Sequence, residues 1–330
     1  MVLRLIASFL ISFAVTVAVG IFLIPALRKA KAGQSIRDDG PVWHGNKAGT
    51  PIMGGLMFIT GTAVACLTAG LREMRNGEFS HIFVLVFALV FAAIGFIDDY
   101  AKLKKKQNLG LKAKHKFLLQ LIVAAGFVLL LRLSGNLTTS LYIPFFNVTF
   151  VLPEPLYYIF AAFVAVGTVN AVNITDGIDG LATGVTIPVA VCYALLALAW
   201  SYTALGVTAA ALAGALGAFL IFNFHPAKVF MGDTGSLFLG GAVCALAFAL
   251  DMPLILVPLG FVYFAETLSD IIQVSYFKIT KGKRVFKMAP IHHHFEMCGW
   301  SEYKLFTVFT TVSVIFAVIS FLGVKSRYGQ

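Results

Sequence analysis

Long apolar runs separated by short polar stretches dominate the chain. They fall at 5–27, 52–70, 82–98, 117–133, 156–172, 184–200, 204–222, 235–250, 254–277 and 305–324. At roughly 17 to 25 residues, each is long enough for a helix to cross the hydrocarbon of a bilayer. None alternates apolar and polar residues in the way a membrane strand requires. Backbone groups in lipid must be satisfied within their own segment, so helices are the expected element. The pattern predicts an all-α integral membrane protein of about ten transmembrane helices, folded as one polytopic domain over 1–330. The connection 134–155 departs from it. There LTTSLYIPFFNVTFVL mixes polar and β-favouring residues, which predicts a small hairpin against the membrane surface. The first run exceeds the apolar core of a signal peptide and leads directly into Arg28, Lys29 and Lys31, so it reads as a retained span. No internal repeat is visible, which gives no support to the inverted-repeat plan of many transporters.

Composition agrees with lipid as the solvent: 59% of residues are hydrophobic and 12% charged, with mean hydropathy +0.89. The net charge of +10 is spread among the connections rather than gathered on one face. Anionic lipid and an anionic substrate are therefore the expected partners, and nucleic acid is not. Of the 25 Lys and Arg residues, only Arg4, Arg72, Arg75, Arg132, Lys325 and Arg327 lie toward the side of the termini and the even-numbered connections. The odd connections carry the rest, including Arg37, Lys47, Lys106 and Lys228. The positive-inside rule places the odd connections in the cytoplasm, with both termini and the hairpin on the extracytoplasmic, periplasmic side. Cys66, Cys192, Cys244 and Cys298 show no CxxC spacing, and the sequence offers neither a disulfide framework nor a zinc site.

The chemistry-bearing residues sit at the predicted cytoplasmic ends. The third run closes in FIDDYAK, with Asp98 and Asp99 beside Lys102. Adjacent carboxylates on a helix point about 100° apart, so one can meet a metal or substrate while the other is held by a lysine or by backbone. The fifth run ends in NAVNITDGIDGLATG, offering Asn170, Asn173, Asp176 and Asp179 around Gly177, Gly180 and Gly184. This reads as a binding loop entering a helix. Helix capping explains one Asp there but not all the polar residues. The connection FNFHPAKVFMGDTGS supplies Asn223, His225, Lys228, Phe230 and Asp233, and capping remains an alternative for Asp233. Carboxylates from separate connections suit a hard cation such as Mg²⁺. APIHHHFEMCGW carries His292, His293 and His294, which do not converge on one metal when consecutive; hydrogen bonding to a pyrophosphate or sugar is the expected role. Lys47 and the lysines from Lys102 to Lys116, Lys114 among them, form a cationic rim that topology alone also explains.

Taken in order, GTPIMGG at 49–55, DDYAK at 98–102, NAVNITDGIDGLATG at 170–184 and FMGDTGS at 230–236 resemble the polyprenyl-phosphate N-acetylhexosamine-1-phosphate transferase superfamily. PIHHHFE at 290–296 narrows the resemblance to the phospho-N-acetylmuramoyl-pentapeptide translocase branch, over essentially the whole chain. The resemblance implies a ten-helix homodimer in the bacterial plasma membrane, with its active site facing the cytoplasm. It also implies reaction of UDP-N-acetylmuramoyl-pentapeptide with undecaprenyl phosphate to give lipid I and UMP, with Mg²⁺ as cofactor. Asp233 matches the magnesium ligand, and Asp98 and Asp99 the catalytic pair. Lys47, Asn173, Asp176, Asp179, Asn223 and Phe230 fall where the family binds nucleotide, and Phe230 suits stacking on uracil. Lys102, Lys114, Gly177, His292, His293 and His294 complete the expected substrate contacts. Direct attack by the lipid phosphate is the preferred route, and a covalent aspartyl route stays open. The competing enzyme reading is an N-acetylglucosamine-1-phosphate transferase, which PIHHHFE disfavours. A transporter is disfavoured because the acids cluster at one interface rather than at the midplane.

Overall fold

The computed structural model describes residues 1–30, 33, 47, 49–105, 110–133, 138–324 and 327. Of the residues cited for topology, Lys31, Arg37, Lys106 and Lys325 lie outside them. The elements in chain order are α1 (Val2–Lys29), α2 (Gly55–Ala69), α3 (Leu71–Arg75), α4 (Ser80–Lys105), α5 (Ala113–Leu133), β1 (Ser140–Ile143) and β2 (Val148–Val151). They continue as α6 (Glu154–Thr175), α7 (Leu181–Ala199), α8 (Thr203–Asn223), α9 (Gly232–Ala249), a 3₁₀ turn over Pro253–Ile255, α10 (Leu256–Leu259), α11 (Phe261–Ile279), α12 (Ile291–Glu296) and α13 (Glu302–Val324).

Among the described residues, eight helices are long and apolar enough to cross a membrane: α1, α4, α5, α6, α7, α8, α9 and α13. The other two apolar runs take different forms. The run at 254–277 is broken, its two helices meeting at 81°. Gly260 sits at the break, where a β-carbon would lie 2.6 Å from the Leu256 carbonyl oxygen, so the sharp turn depends on the missing side chain. The run at 52–70 forms only the 15-residue α2, about 22 Å long at 1.5 Å per residue and short of the roughly 30 Å hydrocarbon layer.

The core lies between α4 and α9, between α8 and both α1 and α7, and between α6 and α9. Side chains of α8 and α9 are buried along almost their whole length, whereas α5 buries only Gln120, Ala124, Phe127 and Val128. Of the polar residues in the fifth run, Asn170 serves this packing: its amide donates to Gln120 Oε1 at 2.7 Å, tying α6 to α5. Cys66, Cys192 and Cys244 are buried as small apolar groups, and Cys298 is exposed.

The expected hairpin is present. β1 and β2 pair antiparallel, with Ser140 opposite Val151 and Ile143 opposite Val148. Leu141 and Tyr142 face inward while all four residues of β2 are exposed. Arg327 fixes this end of the molecule, lying 4.7 Å from the Tyr142 ring centre and pairing with Asp251 at 2.7 Å.

Candidate active site

At the opposite end of the bundle, the end of α4 meets the starts of α5 and α9 and the end of α6. Asp98 and Asp99 belong to the last two turns of α4, and both are buried. Their side chains diverge as the helical spacing requires. Asp99 turns to α9 and accepts from the Asp233 and Thr234 amides at 3.1 and 2.8 Å and from the Thr234 hydroxyl at 2.7 Å. It therefore closes the N-terminus of α9 from another helix, satisfying amides that have no partner within their own helix. Asp98 instead accepts from the Leu111 amide at 2.7 Å and pairs with Lys102 at 2.6 Å.

Asp233 completes the group. Its Oδ2 receives Lys102 at 2.6 Å and Lys116 at 2.9 Å, and its Oδ1 receives the Asn173 amide at 2.7 Å. Asn173 also donates to Ser236 at 2.7 Å. One oxygen from each of Asp98, Asp99 and Asp233 lies within 4.8 Å of the others. Two glycines permit this approach. A β-carbon at Gly95 would overlap the Asp233 carbonyl, and Gly232 has φ +70° with Asp99 Oδ2 against it. Lys114, by contrast, is exposed; the cations placed on these carboxylates are Lys102 and Lys116. Helical phase separates the two lysines, because two residues along α5 turn a side chain to roughly the opposite face.

A second group joins four stretches of chain. Lys47 lies 2.8 Å from Asp179 and 2.7 Å from Glu302, and His225 Nδ1 lies 2.8 Å from Asp179 Oδ2. The Ala227 amide donates to Asp179 at 3.0 Å, and the Asp179 amide donates to Glu302 at 3.2 Å. Asp179, His225 and Glu302 have the spacing of metal ligands, and the Lys47 ammonium lies between the two carboxylates. Burial pushes the Asp179 carboxyl up, yet Lys47, the Ala227 amide and His225 together hold it below the usual range. Asp176 behaves oppositely. Burial, then the negative field of Asp233, Asp99 and Asp179, holds it well above that range.

The remaining expected residues have mixed placements. Asn223 is buried and structural in its contacts, accepting from Thr183 at 2.8 Å and donating to the Val229 carbonyl at 3.0 Å. Phe230 is half-buried, and its backbone pairs with Pro51 and Gly54 at 2.8 Å each, docking the GTPIMGG segment onto the start of α9. The histidines part as expected of consecutive residues. His292 meets Glu266 at 2.9 Å, His293 meets Glu296 at 2.5 Å, and His294 accepts from the Lys287 amide at 3.1 Å. His292 is fully enclosed and backs onto Gly177, where a β-carbon would overlap its ring.

Sequence reasoning named Lys116 only as one lysine of the cationic rim, and did not single out Glu302 or Glu266. Glu266 left a signal, since an acid inside an apolar run is costly unless it is used, and this run carries two, Glu266 and Asp270. Lys116 and Glu302 left none beyond ordinary flanking charge.

A helical membrane fold with carboxylates and lysines gathered at one end is suited to handling phosphate groups, and the model of glycosyl transferase family 4 matches residues 81–251. These findings define the class: a membrane glycosyl-phosphate transferase. Proteins named phospho-N-acetylmuramoyl-pentapeptide-transferase match nearly end to end. The one from Clostridium acetobutylicum is 48% identical over 319 residues, 97% of this chain and 98% of that protein. Those from Heliobacterium modesticaldum and Bacillus cytotoxicus are 47% and 45% identical, over 97% and 95% of this chain and 97% and 96% of their own lengths. The chain belongs to the phospho-N-acetylmuramoyl-pentapeptide-transferase family.

Proposed function

We propose that the protein transfers phospho-N-acetylmuramoyl-pentapeptide from its UDP conjugate to undecaprenyl phosphate, forming lipid I and UMP for peptidoglycan synthesis. The reaction takes place at the cytoplasmic face of the bacterial plasma membrane. In this reading 1–330 is one domain with ten spans, counting α2 and the broken α10–α11, both termini outside, and the protein works as a homodimer. The observation that carries the reading is the meeting of Asp98, Asp233, Lys102 and Lys116 within ion-pair distance at one end of the bundle.

The donor set fits Mg²⁺. In the Asp98, Asp99 and Asp233 group every candidate ligand is a carboxylate oxygen; α9 backbone amides hold Asp99, whereas Lys102 and Lys116 stand on Asp98 and Asp233 where a cation would replace them. One or two carboxylates with waters and substrate phosphates is the usual magnesium arrangement. When bound, the ion would neutralise charge on the diphosphate and its leaving group.

The transfer forms a bond from a lipid phosphate oxygen to the sugar-bearing phosphorus and breaks the bond to the bridging oxygen, which departs with UMP. The lipid phosphate is largely ionised at neutral pH, so Asp98 orients the nucleophile rather than deprotonating it. Lys102 and Lys116 turn from the carboxylates toward the phosphates and stabilise their charge. Asn173 holds Asp233 in register, and Asp99 ties α4 to α9. Asp176, Asp179, Lys47, Asn223 and Phe230 contact or shape the nucleotide site, with Lys114, Gly177 and the histidines around it.

The test is to incubate purified protein with both substrates and Mg²⁺ while measuring UMP and lipid product. Equal amounts of both, abolished by EDTA, are expected. Absence of UMP contradicts the reading, and preference for UDP-N-acetylglucosamine assigns the other branch.

A further inference from the structure

Glu266 lies inside the apolar α11 and is fully buried, as is His292. Its Oε2 is 2.9 Å from His292 Nδ1 and 3.4 Å from the His292 amide, so it grips both the ring and the backbone. A carboxylate oxygen accepts from an N–H, so the contact places a ring hydrogen on Nδ1 toward Glu266 and makes Nε2 the opposite polar edge of the ring. Among the described residues Nε2 has no hydrogen-bond partner, nor does Glu266 Oε1. Asp270, one turn along α11, bears electrostatically on both, and the His293 ring lies 4.1 Å from that of His292. The Nε2 edge of His292 backs onto Gly177, in the turn that separates Asp176 from Asp179. A buried acid this costly is kept where it fixes something.

We infer that Glu266 is a positioning residue for the 176–179 turn: it locks His292 in one tautomer and orientation, and His292, wedged behind Gly177, sets where Asp176 and Asp179 stand toward the nucleotide. This rests on the proposed nucleotide role of that turn. Three consequences follow from the geometry. Glu266→Gln keeps the volume but presents an amide to Nδ1, so it loosens the ring and permits the other tautomer. Gly177→Ala displaces the same ring from the opposite side. Because both act through one contact, their effects overlap rather than add.

The experiment measures UMP affinity by calorimetry on the full chain in detergent, alongside KM for each substrate, for wild type, Glu266→Gln, Gly177→Ala and the double variant. Each single variant is expected to weaken UMP binding and raise the KM for the UDP substrate about tenfold, the scale of one well-formed hydrogen bond to a charged group. KM for the lipid phosphate stays unchanged, and the double variant is no worse than the worse single one. Multiplicative losses, equal rises in both KM values or unchanged UMP affinity overturn the inference. Should a variant not fold, ¹⁵N NMR of histidine-labelled wild type decides independently: the unprotonated nitrogen of His292 is expected at Nε2, and finding it at Nδ1 overturns the assignment. If wild type binds UMP but makes no lipid product, the reaction reading fails while this test stands.

Discussion

At the residue scale, the two adjacent aspartates of α4 do different work because a helix turns 100° between them. Asp98 meets Lys102 and the Leu111 amide, whereas Asp99 spends both oxygens on α9. Replacing Asp98 or Asp233 by Asn is expected to lower kcat by about a hundredfold or more, the scale seen when one charge-stabilising group is removed, with the protein still folded by thermal unfolding. Loss of less than tenfold in both would contradict the site. Asp176 and Asp179 allow a test without substrate. Asp176 has a raised pKa, so folding favours its protonated form: it costs nothing below about pH 4, the ordinary Asp value, and costs stability as pH rises toward its folded value. Asp176→Asn should therefore raise the unfolding temperature at pH 7, the gain fading toward pH 4. Asp179 has a lowered pKa, so its stabilisation is present above about pH 4 and lost as pH falls through the folded value. Asp179→Asn should lower the unfolding temperature at pH 7, with the gap narrowing in acid. Matching pH profiles for the two variants would contradict these environments.

At the element scale, the site is made by helix ends that meet only because backbones come close. Gly95→Ala inserts a methyl group against the Asp233 carbonyl, forcing α4 away from α9. About 1–3 kcal/mol of destabilisation is expected from such overpacking, with a fall in kcat as Asp98 moves relative to Asp233. Unchanged kcat would show that this spacing does not matter. Lys116→Gln should likewise cost more activity than Lys114→Gln, because only Lys116 reaches Asp233. Much of this level was legible in the chain. Hydropathy located the eight long helices to within four residues at every end but one, since α4 continues through Asp99 to Lys105 beyond its apolar run, and the β-favouring run at 137–152 located the hairpin. It did not reveal the 81° break at Gly260, because a run of apolar residues reports composition and not axis direction. Nor did it reveal that Asp99 closes a helix beginning at residue 232, since a cap borrowed from another element has no local pattern. Lys116 and Glu302 were obscured for a related reason: each is one charge among several beside a membrane span, and only the fold says which of them points inward.

At the scale of the whole molecule, the proposed topology puts the acidic clusters and the hairpin on opposite faces of the membrane. The cysteines make this measurable. Cys298 is exposed beside the histidine segment, while Cys66, Cys192 and Cys244 are buried. A membrane-impermeant maleimide should leave Cys298 unmodified in intact spheroplasts and label it in inverted vesicles. A cysteine replacing Phe146, 76% exposed at the hairpin, should show the reverse. Labelling of both from one side would overturn the orientation. The central claim is that acids delivered by separate helices hold one divalent cation for phosphate transfer, and Mn²⁺ substituted for Mg²⁺ tests it most directly. Electron paramagnetic resonance titration of the purified chain with UMP present should show one bound Mn²⁺ in wild type and loss of that binding in both Asp98→Asn and Asp233→Asn. Undiminished Mn²⁺ binding in the two variants would contradict it.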